Sequence, residues 1–100
     1  MRTVLVLAAA LAAAPVAASA QDASARNMAS ACAICHGTNG TPGGGSPLIP
    51  LAGLPKDHIA TQMRAFRDAK RPATVMHQIA KGYTDAQIDQ LASWFAAQKR

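Results

Sequence analysis

The sequence has few of the large side chains from which small proteins build a core. Among its 100 residues there are one Trp, one Tyr and two Phe, and the five acidic residues are all Asp. Half of the residues are apolar, but sixteen of these fifty lie in the first twenty positions. A chain this short is limited to one domain, and about 80 residues with so little apolar bulk are marginal on hydrophobic burial alone. We therefore expect something other than side chains to complete the core.

The first twenty residues have the pattern of an export signal. A short positive start precedes an uninterrupted apolar run, residues 4–14, and residues 18–20 are the small residues that a signal peptidase requires. We predict cleavage after Ala20, which divides the chain into a signal peptide, 1–20, and a mature domain, 21–100. An uncleaved membrane anchor is the alternative, but the apolar run is short for a bilayer span and a proline breaks it.

The mature domain has a formal charge of +4 and no second long hydrophobic segment. We expect it to be periplasmic, without stable insertion into a membrane. Nucleic acid is not its expected partner, because the protein is exported and lacks an aromatic binding platform. Its basic residues are concentrated on one face of a predicted helix, which is either simply solvated or steers an acidic redox partner. These residues are Arg64, Arg67, Lys70 and Arg71.

The chemistry of the sequence is concentrated in Cys32, Cys35 and His36. Two thiols separated by two residues, with a histidine directly after the second, form the haem c attachment pattern, in which the thiols make thioethers and the imidazole ligates iron. A disulfide here would close only a tiny loop, and a thioredoxin-like pair needs strands that the sequence does not predict. A zinc site needs two further ligands, for which only His58 and His77 remain. We therefore predict one covalent haem c, which also fills the core.

The opposite face of the iron needs a methionine, a histidine or an open position, and this choice separates an electron carrier from a protein that binds a small ligand. The candidates are Met28, Met63, Met76, His58 and His77. We predict Met76, because it lies in an irregular stretch forty residues after His36 and can approach from the far side. His77 is its rival. Met63 lies on an apolar helix face and is expected to be core, and Met28 is too close to the attachment site to cross the haem.

Outside the haem motif the sequence is patterned for helices. Apolar residues recur at spacings of three and four in several segments, and no strand pattern is visible. We predict helices over 24–34, 56–69 and 77–81, and a last helix that follows Thr84 and runs to the C-terminus. The sequence therefore predicts an all-α protein.

Several residues are expected to set the ends of these helices. Asp22 or Ser24 is available to cap the first helix, and Pro72 is expected to stop the second. Thr84 and Gln87 form a capping box for the last helix.

Residues 37–55 contain six of the seven glycines and four of the six prolines, which excludes regular structure. A disordered linker is one interpretation. We favour a loop that wraps around the haem, because a linker would not need the apolar residues found here. These residues are Leu48, Ile49, Leu51 and Leu54.

In this order, the features resemble a class I c-type cytochrome across about residues 23–98. The motif at 32–37 is similar to the family's most specific motif, Met76 stands where its axial methionine stands, and segment 91–96 resembles its final helix. The resemblance implies a small cytochrome c fold, with three to four helices around one haem. It also implies that the last helix crosses the first, so that its apolar residues meet those of the first helix. The expected pairs join Leu91 and Trp94 to Ser24 and Met28.

Residues 74–84 are similar to the methionine region of the cytochrome subunits of flavocytochrome c sulfide dehydrogenases. This resemblance implies a non-catalytic subunit that accepts electrons from a flavoprotein as it oxidises sulfide. Two alternatives remain open. One is a freely diffusing carrier to a terminal oxidase or reductase, and the other is a haem protein whose open distal site binds a small ligand.

One short segment departs from the family pattern. Class I cytochromes have a Pro-x-Leu-x-Gly stretch whose proline carbonyl accepts the N–H of the proximal imidazole. Here Pro50-Leu51-Ala52-Gly53 is one residue shorter. The acceptor for His36 is therefore either the carbonyl of Pro50 or that of a neighbour.

Overall fold

The computed structural model describes residues 4–5, 8–10 and 16–100. Five α-helices follow one another: α1 (Val16–Ser30), α2 (Ala33–His36), α3 (Lys56–Arg67), α4 (Met76–Ala80) and α5 (Asp85–Ala96). A 3₁₀ turn, Thr38–Gly40, follows α2, and the described residues contain no strand. Three long helices and two single-turn helices make the small all-α cytochrome c fold that the sequence predicts.

α5 forms the centre of the fold because it contacts both α1 and α3. Its buried residues, Ile88, Leu91, Ala92 and Phe95, recur at the spacing of one helix face. They form one cluster with Ala29 of α1 and with Ile59 and Ala60 of α3. Thr84 caps the helix as predicted: its hydroxyl accepts from the Gln87 N–H, and the Gln87 side chain accepts from the Thr84 N–H.

The predicted first helix differs from the observed one at both ends. α1 begins at Val16, so Asp22 and Ser24 lie inside it and neither caps it. It ends at Ser30, because the N–H groups of Ala31 and Cys32 bond to carbonyls three residues earlier and tighten the turn. Cys35 and His36 therefore lie on the separate helix α2.

The end of α3 was also predicted wrongly. The helix ends at Arg67, before Pro72, which therefore does not stop it. Ala69 adopts a left-handed conformation, with φ of 57°, and the carbonyl of Ala65 accepts from the Lys70 N–H. A hydrogen bond from an N–H group to the carbonyl five residues earlier, across a residue in the left-handed conformation, defines the Schellman motif at the end of a helix. Here an alanine takes the place of the usual glycine.

The loop between α2 and α3 is docked against the helices, as the wrapping interpretation requires. The carbonyl of Gly40 accepts hydrogen bonds from both Leu51 and Ala52, and the Gly53 N–H donates to the carbonyl of Phe95 on α5. A Cβ on Gly40 would lie 2.9 Å from the backbone nitrogen of Ala52, so only glycine permits this approach.

The predicted contact between the first and last helices holds in part. Met28 of α1 packs against the cluster that contains Leu91, and Trp94 packs there as well. Ser24 is exposed. Half of the predicted signal peptide lies outside the described part of the chain, and cleavage after Ala20 stays a prediction.

Candidate haem site

A cavity of about 630 Å³ lies between the loop after α2 and helices α3, α4 and α5. Its lining is mostly apolar and includes Leu48, Ile49, Leu51 and Leu54, the four loop residues expected to wrap the cofactor. Its volume is typical of a ligand site, for which about 300–1,000 Å³ is usual. The four predicted site residues, Cys32, Cys35, His36 and Met76, all line it.

The imidazole of His36 has a fixed orientation. Its Nδ1 lies 2.8 Å from the carbonyl oxygen of Ile49, and with Nδ1 protonated it donates a hydrogen bond to that oxygen. Nε2 is then the nitrogen available to a metal. Ile49 stands four residues before Gly53, the spacing at which the Pro-x-Leu-x-Gly pattern has its proline. The acceptor is thus the neighbour of Pro50 rather than Pro50 itself.

The two cysteines differ in their surroundings. Cys32 is half-buried against the core cluster, and Cys35 is exposed. Burial raises the pKa of the Cys32 thiol above its usual value. Tyr83 lines the same cavity, and burial raises its pKa, with a smaller contribution from a charge on Cys32.

The candidates for the second iron ligand separate into two groups. Met76, Met63 and His58 line the cavity, whereas Met28 and His77 do not. Nδ1 of His77 is buried and has no hydrogen-bond partner among the described residues. Met63 both lines the cavity and packs against the core cluster, which agrees with its expected role as a core residue.

Met76 is positioned by a short, well-anchored segment. It is the first residue of α4, a helix that packs on α3 and buries Ala80 completely. Gly82 follows this helix, and the cap at Thr84 then starts α5. Both ends of the segment that carries Met76 are therefore held by packed helices.

Half of the predicted basic face is neutralised within the protein. Arg64 pairs with Asp89 at 2.7 Å and with Asp85 at 3.1 Å, and Arg67 pairs with Asp85 at 2.8 Å. Arg67, followed by Arg64, holds the pKa of Asp85 below its usual value. The geometry therefore does not support steering of a partner by all four basic residues together. Arg71 lines the haem cavity instead.

Three polar residues of the cavity lining were not assigned to the site from sequence: Gln62, Arg71 and Tyr83. Gln62 follows His58 by four residues, one helical turn along the border of the apolar face of α3. This spacing could have identified Gln62 as a cavity residue from the sequence. The position of Arg71 at the cavity depends instead on how the chain turns after α3. A second groove, of about 700 Å³, lies between α1 and α5 and contains none of the predicted haem residues.

The competing interpretations of the two cysteines find no support in the described residues. These contain no cluster of three His, Cys, Asp or Glu side chains suited to a metal ion, as zinc would require, and no strand for a thioredoxin-like unit. Across residues 4–5, 8–10 and 16–100, no helix is long and apolar enough to span a membrane. The residues present fit a covalently held haem, with two thiols and a hydrogen-bonded imidazole around a largely apolar cavity.

Comparison with known proteins agrees with this fit. The family described as cytochrome c oxidase, cbb3-type, subunit III matches residues 19–95. The chain is 41% identical to a thiosulfate dehydrogenase electron acceptor of Thiomonas intermedia over 85 residues, which are 83% of this chain and 38% of that protein. It is 40% identical over 65 residues to the cytochrome subunit of sulfide dehydrogenase of Chlorobaculum tepidum, covering 64% of this chain and 56% of that protein.

The match covers most of the length of a third relative. It is cytochrome c-554(548) of Halomonas halodenitrificans, which is 32% identical over 72 residues, or 68% of this chain and 84% of that protein. The chain thus spans well under two thirds of the first two relatives and most of the third.

Proposed function

Because the chain belongs to the cytochrome c family, we propose that it is a periplasmic electron carrier that accepts electrons from a sulfur-oxidising dehydrogenase. The family carries covalent haem c and transfers electrons without being the catalytic subunit. When bound, haem c supplies an iron centre that gains and loses one electron at a time. Cys32 and Cys35 would hold it through thioethers, and His36 and Met76 would ligate its iron.

The residues of the chain hold and shield this group. The carbonyl of Ile49 fixes the ring of His36, and the apolar loop residues exclude water from the cavity. Ligation by both His36 and Met76 would leave no open position for a small ligand. The protein therefore carries electrons rather than binding small molecules.

The attachment segment is accessible to a partner. Cys35 is exposed, and the adjacent Ile34 has 87% of its surface in solvent. An electron entering from another protein needs a short path to the cofactor, and this exposed segment offers one. The observation that carries the proposal is the meeting of both cysteines, His36 and Met76 around one cavity.

The relatives suggest two donors. One relative is a cytochrome subunit of sulfide dehydrogenase, which agrees with the resemblance of residues 74–84 and favours a flavoprotein that oxidises sulfide. The other is a thiosulfate dehydrogenase electron acceptor, which favours thiosulfate as the source of electrons. We propose sulfide oxidation first and thiosulfate oxidation as the second candidate.

Reduction of the purified oxidised protein distinguishes these donors. The haem spectrum is followed after mixing with sulfide and the C. tepidum sulfide dehydrogenase prepared without its cytochrome subunit. In a separate mixture it is followed with thiosulfate and the T. intermedia thiosulfate dehydrogenase. We expect rapid reduction in the first mixture, well above the rate with sulfide alone. Reduction only in the second mixture selects thiosulfate. Reduction in neither contradicts a sulfur-oxidising donor and favours a carrier for a terminal oxidase or reductase.

A further inference from the structure

The turn after the attachment motif contains an asparagine followed by a glycine. The sequence has two asparagines, Asn27 and Asn39, and only Asn39 precedes a glycine. In such a pair the backbone nitrogen of the glycine can attack the side-chain amide of the asparagine, because no Cβ on the glycine obstructs the approach. Asn39 is exposed and is the middle residue of the 3₁₀ turn Thr38–Gly40. Its side chain is therefore a chemically labile amide at the surface.

The fold itself requires this pair of residues. Asn39 has a left-handed backbone, with φ of 56° and ψ of 22°, which asparagine adopts more readily than most residues that carry a side chain. Gly40 is also left-handed, with φ of 79°, and a Cβ on it would lie 2.9 Å from a ring carbon of Phe95. The glycine that lets the loop approach α5 is thus the same residue that makes Asn39 reactive.

In the folded protein the attacking nitrogen is already engaged. The N–H of Gly40 donates to the carbonyl of Gly37 at 3.0 Å. The carbonyl of Gly40 accepts from Leu51 at 2.8 Å and from Ala52 at 3.1 Å. To attack, the nitrogen must lose its proton and the peptide between Asn39 and Gly40 must turn towards the side chain. The three hydrogen bonds and the burial of Gly40 oppose both changes.

This protection depends on a docked loop. Leu51, which holds the carbonyl of Gly40, also lines the haem cavity. The core formed by side chains alone is small, so a chain without haem has less to hold the loop against the helices. We expect the N–H of Gly40 to become accessible to solvent when the cavity is not filled.

We propose that Asn39 is a site of spontaneous deamidation that the docked loop protects, so that the chain is open to this modification until haem is in place. The link to haem rests on the proposed function, whereas protection by the folded loop does not. In the reaction the nitrogen of Gly40 loses its proton to solvent and bonds to Cγ of Asn39, while the Cγ–Nδ2 bond breaks and ammonia leaves. Water then opens the five-membered imide, at Cγ to give aspartate or at the main-chain carbonyl carbon to give iso-aspartate.

The iso-aspartate product is incompatible with the docked loop. It inserts an extra main-chain atom directly before Gly40, which displaces the carbonyl of Gly40 from the N–H groups of Leu51 and Ala52. The same loop supplies the carbonyl of Ile49 that accepts from His36. The modified chain should therefore form a less stable haem domain.

The rate of modification in the folded and unfolded holoprotein tests the protection. Purified holoprotein is kept at neutral pH in guanidinium chloride, or in sodium chloride of the same concentration. Samples are digested with trypsin at mildly acid pH, and peptide 27–56 is analysed by mass spectrometry with fragmentation that separates iso-aspartate from aspartate. We expect modification at Asn39 to be at least about tenfold faster in guanidinium chloride.

Two comparisons accompany this measurement. The haem-free variant Cys32→Ala with Cys35→Ala, kept in sodium chloride, should be modified at a rate close to that of the unfolded holoprotein. Asn27 lies on the same peptide and is followed by methionine, so it should remain unmodified in every sample and is the internal control.

The stability of the modified holoprotein tests the consequence. After refolding, the iso-aspartate form is separated by ion exchange, and it should unfold at a lower guanidinium concentration than the untreated protein. Asn39→Asp is the matched control, because it has the same composition and charge with a normal main chain, and aspartate also tolerates the left-handed conformation. It should unfold near the untreated protein. Asn39→Gly, which has no side-chain amide, should pass through the same treatment unchanged.

The possible failures are distinguishable. Equal rates of modification in the two salts contradict protection by the docked loop, and no modification of Asn39 in guanidinium chloride contradicts the site itself. A haem-free variant as resistant as the folded holoprotein overturns the link to haem. An iso-aspartate form as stable as Asn39→Asp overturns the displacement of Gly40. Only a purified protein without covalent haem, seen from its mass, would contradict the proposed function.

Discussion

The hydrogen bond from His36 to the carbonyl of Ile49 is the most informative single contact in the protein. It joins the attachment motif to a loop thirteen residues away at 2.8 Å. Pro50 follows Ile49, and a residue before proline is restricted to extended backbone, which limits how this carbonyl can turn. The loop therefore fixes the ring that we propose as the iron ligand. It does so through the carbonyl of Ile49, four residues before Gly53, rather than through that of Pro50.

Replacement of Met76 tests the second ligand. In Met76→Ala the far-red absorption band that arises from methionine bound to ferric iron should disappear. The midpoint potential should fall, because a methionine ligand favours the reduced iron. Both are measured on the purified ferric protein by absorption and by spectroelectrochemistry.

Met63→Leu is the comparison variant, because Met63 is the other methionine that lines the cavity and leucine keeps its volume. It should retain the band. Loss of the band in Met63→Leu, with its retention in Met76→Ala, would assign the ligand to Met63. Retention of the band in both variants would contradict ligation by either methionine that lines the cavity.

At the scale of elements, ion pairs between α3 and α5 hold the haem wall to the core. Asp85, in the first turn of α5, accepts from Arg67 and Arg64, and Asp89 accepts from Arg64 one turn later. These contacts lie directly after the segment that carries Met76. The basic residues that the sequence indicated as a possible docking face thus serve largely to hold α3 against α5.

Acid should weaken these ion pairs between α3 and α5 in a defined range of pH. The pKa of Asp85 in the folded protein lies below its usual value of 3.8, because Arg67 and then Arg64 favour the ionised form. The stabilisation is therefore present above that usual value and is lost as the pH falls through the lowered pKa. We expect Asp85→Asn to be less stable than the unaltered holoprotein to urea at about pH 7, and the difference to shrink towards about pH 2 to 3.

Asp57→Asn is its control, because Asp57 also lies in the first turn of a helix and makes no ion pair with another described residue. This variant measures how much stability is lost when a negative charge near a helix N-terminus is removed without breaking an ion pair. A stability loss equal in the two variants, or one in Asp85→Asn that does not depend on pH, would contradict a role for the Arg64–Arg67–Asp85 cluster.

Elements with local signals were predictable from sequence, and those set by longer-range geometry were not. The capping box of α5 and its apolar face are both confirmed, since they depend on residues within one or two turns. The break between α1 and α2 depends on a tightened turn at Ala31 and Cys32, which no proline or glycine marks. The early end of α3 depends on an alanine, Ala69, in the conformation that usually requires glycine.

At the scale of the whole molecule, the core is small, as the scarcity of large side chains indicated. Among the residues whose burial the structure describes, ten apolar residues are buried and six of these are alanines, and only Ile88 is a large side chain that is completely buried. Beside this core lies a cavity of about 630 Å³ lined mainly by apolar residues. A covalently attached haem would fill that space and supply the buried surface that the side chains lack.

The candidate site was predictable where covalent chemistry dictates spacing. Cys32, Cys35 and His36 follow from a five-residue pattern, and the order of the helices brings Met76 to the same cavity. The acceptor carbonyl of His36 and the approach of Arg71 could not be predicted, because each depends on the path of a loop or turn that has no periodic pattern. Where a residue reaches the cavity through the tertiary path of the chain, sequence spacing carries little information.

The mass of one peptide tests the central claim most directly. Trypsin should release residues 27–56, which contain both cysteines and His36, from the protein purified from a host that matures c-type cytochromes. We expect this peptide to carry the mass of one haem and to have no thiol that an alkylating reagent can modify. Recovery of the peptide without haem, with Cys32 and Cys35 both alkylated after reduction, would contradict attachment at these residues and with it the account of the core.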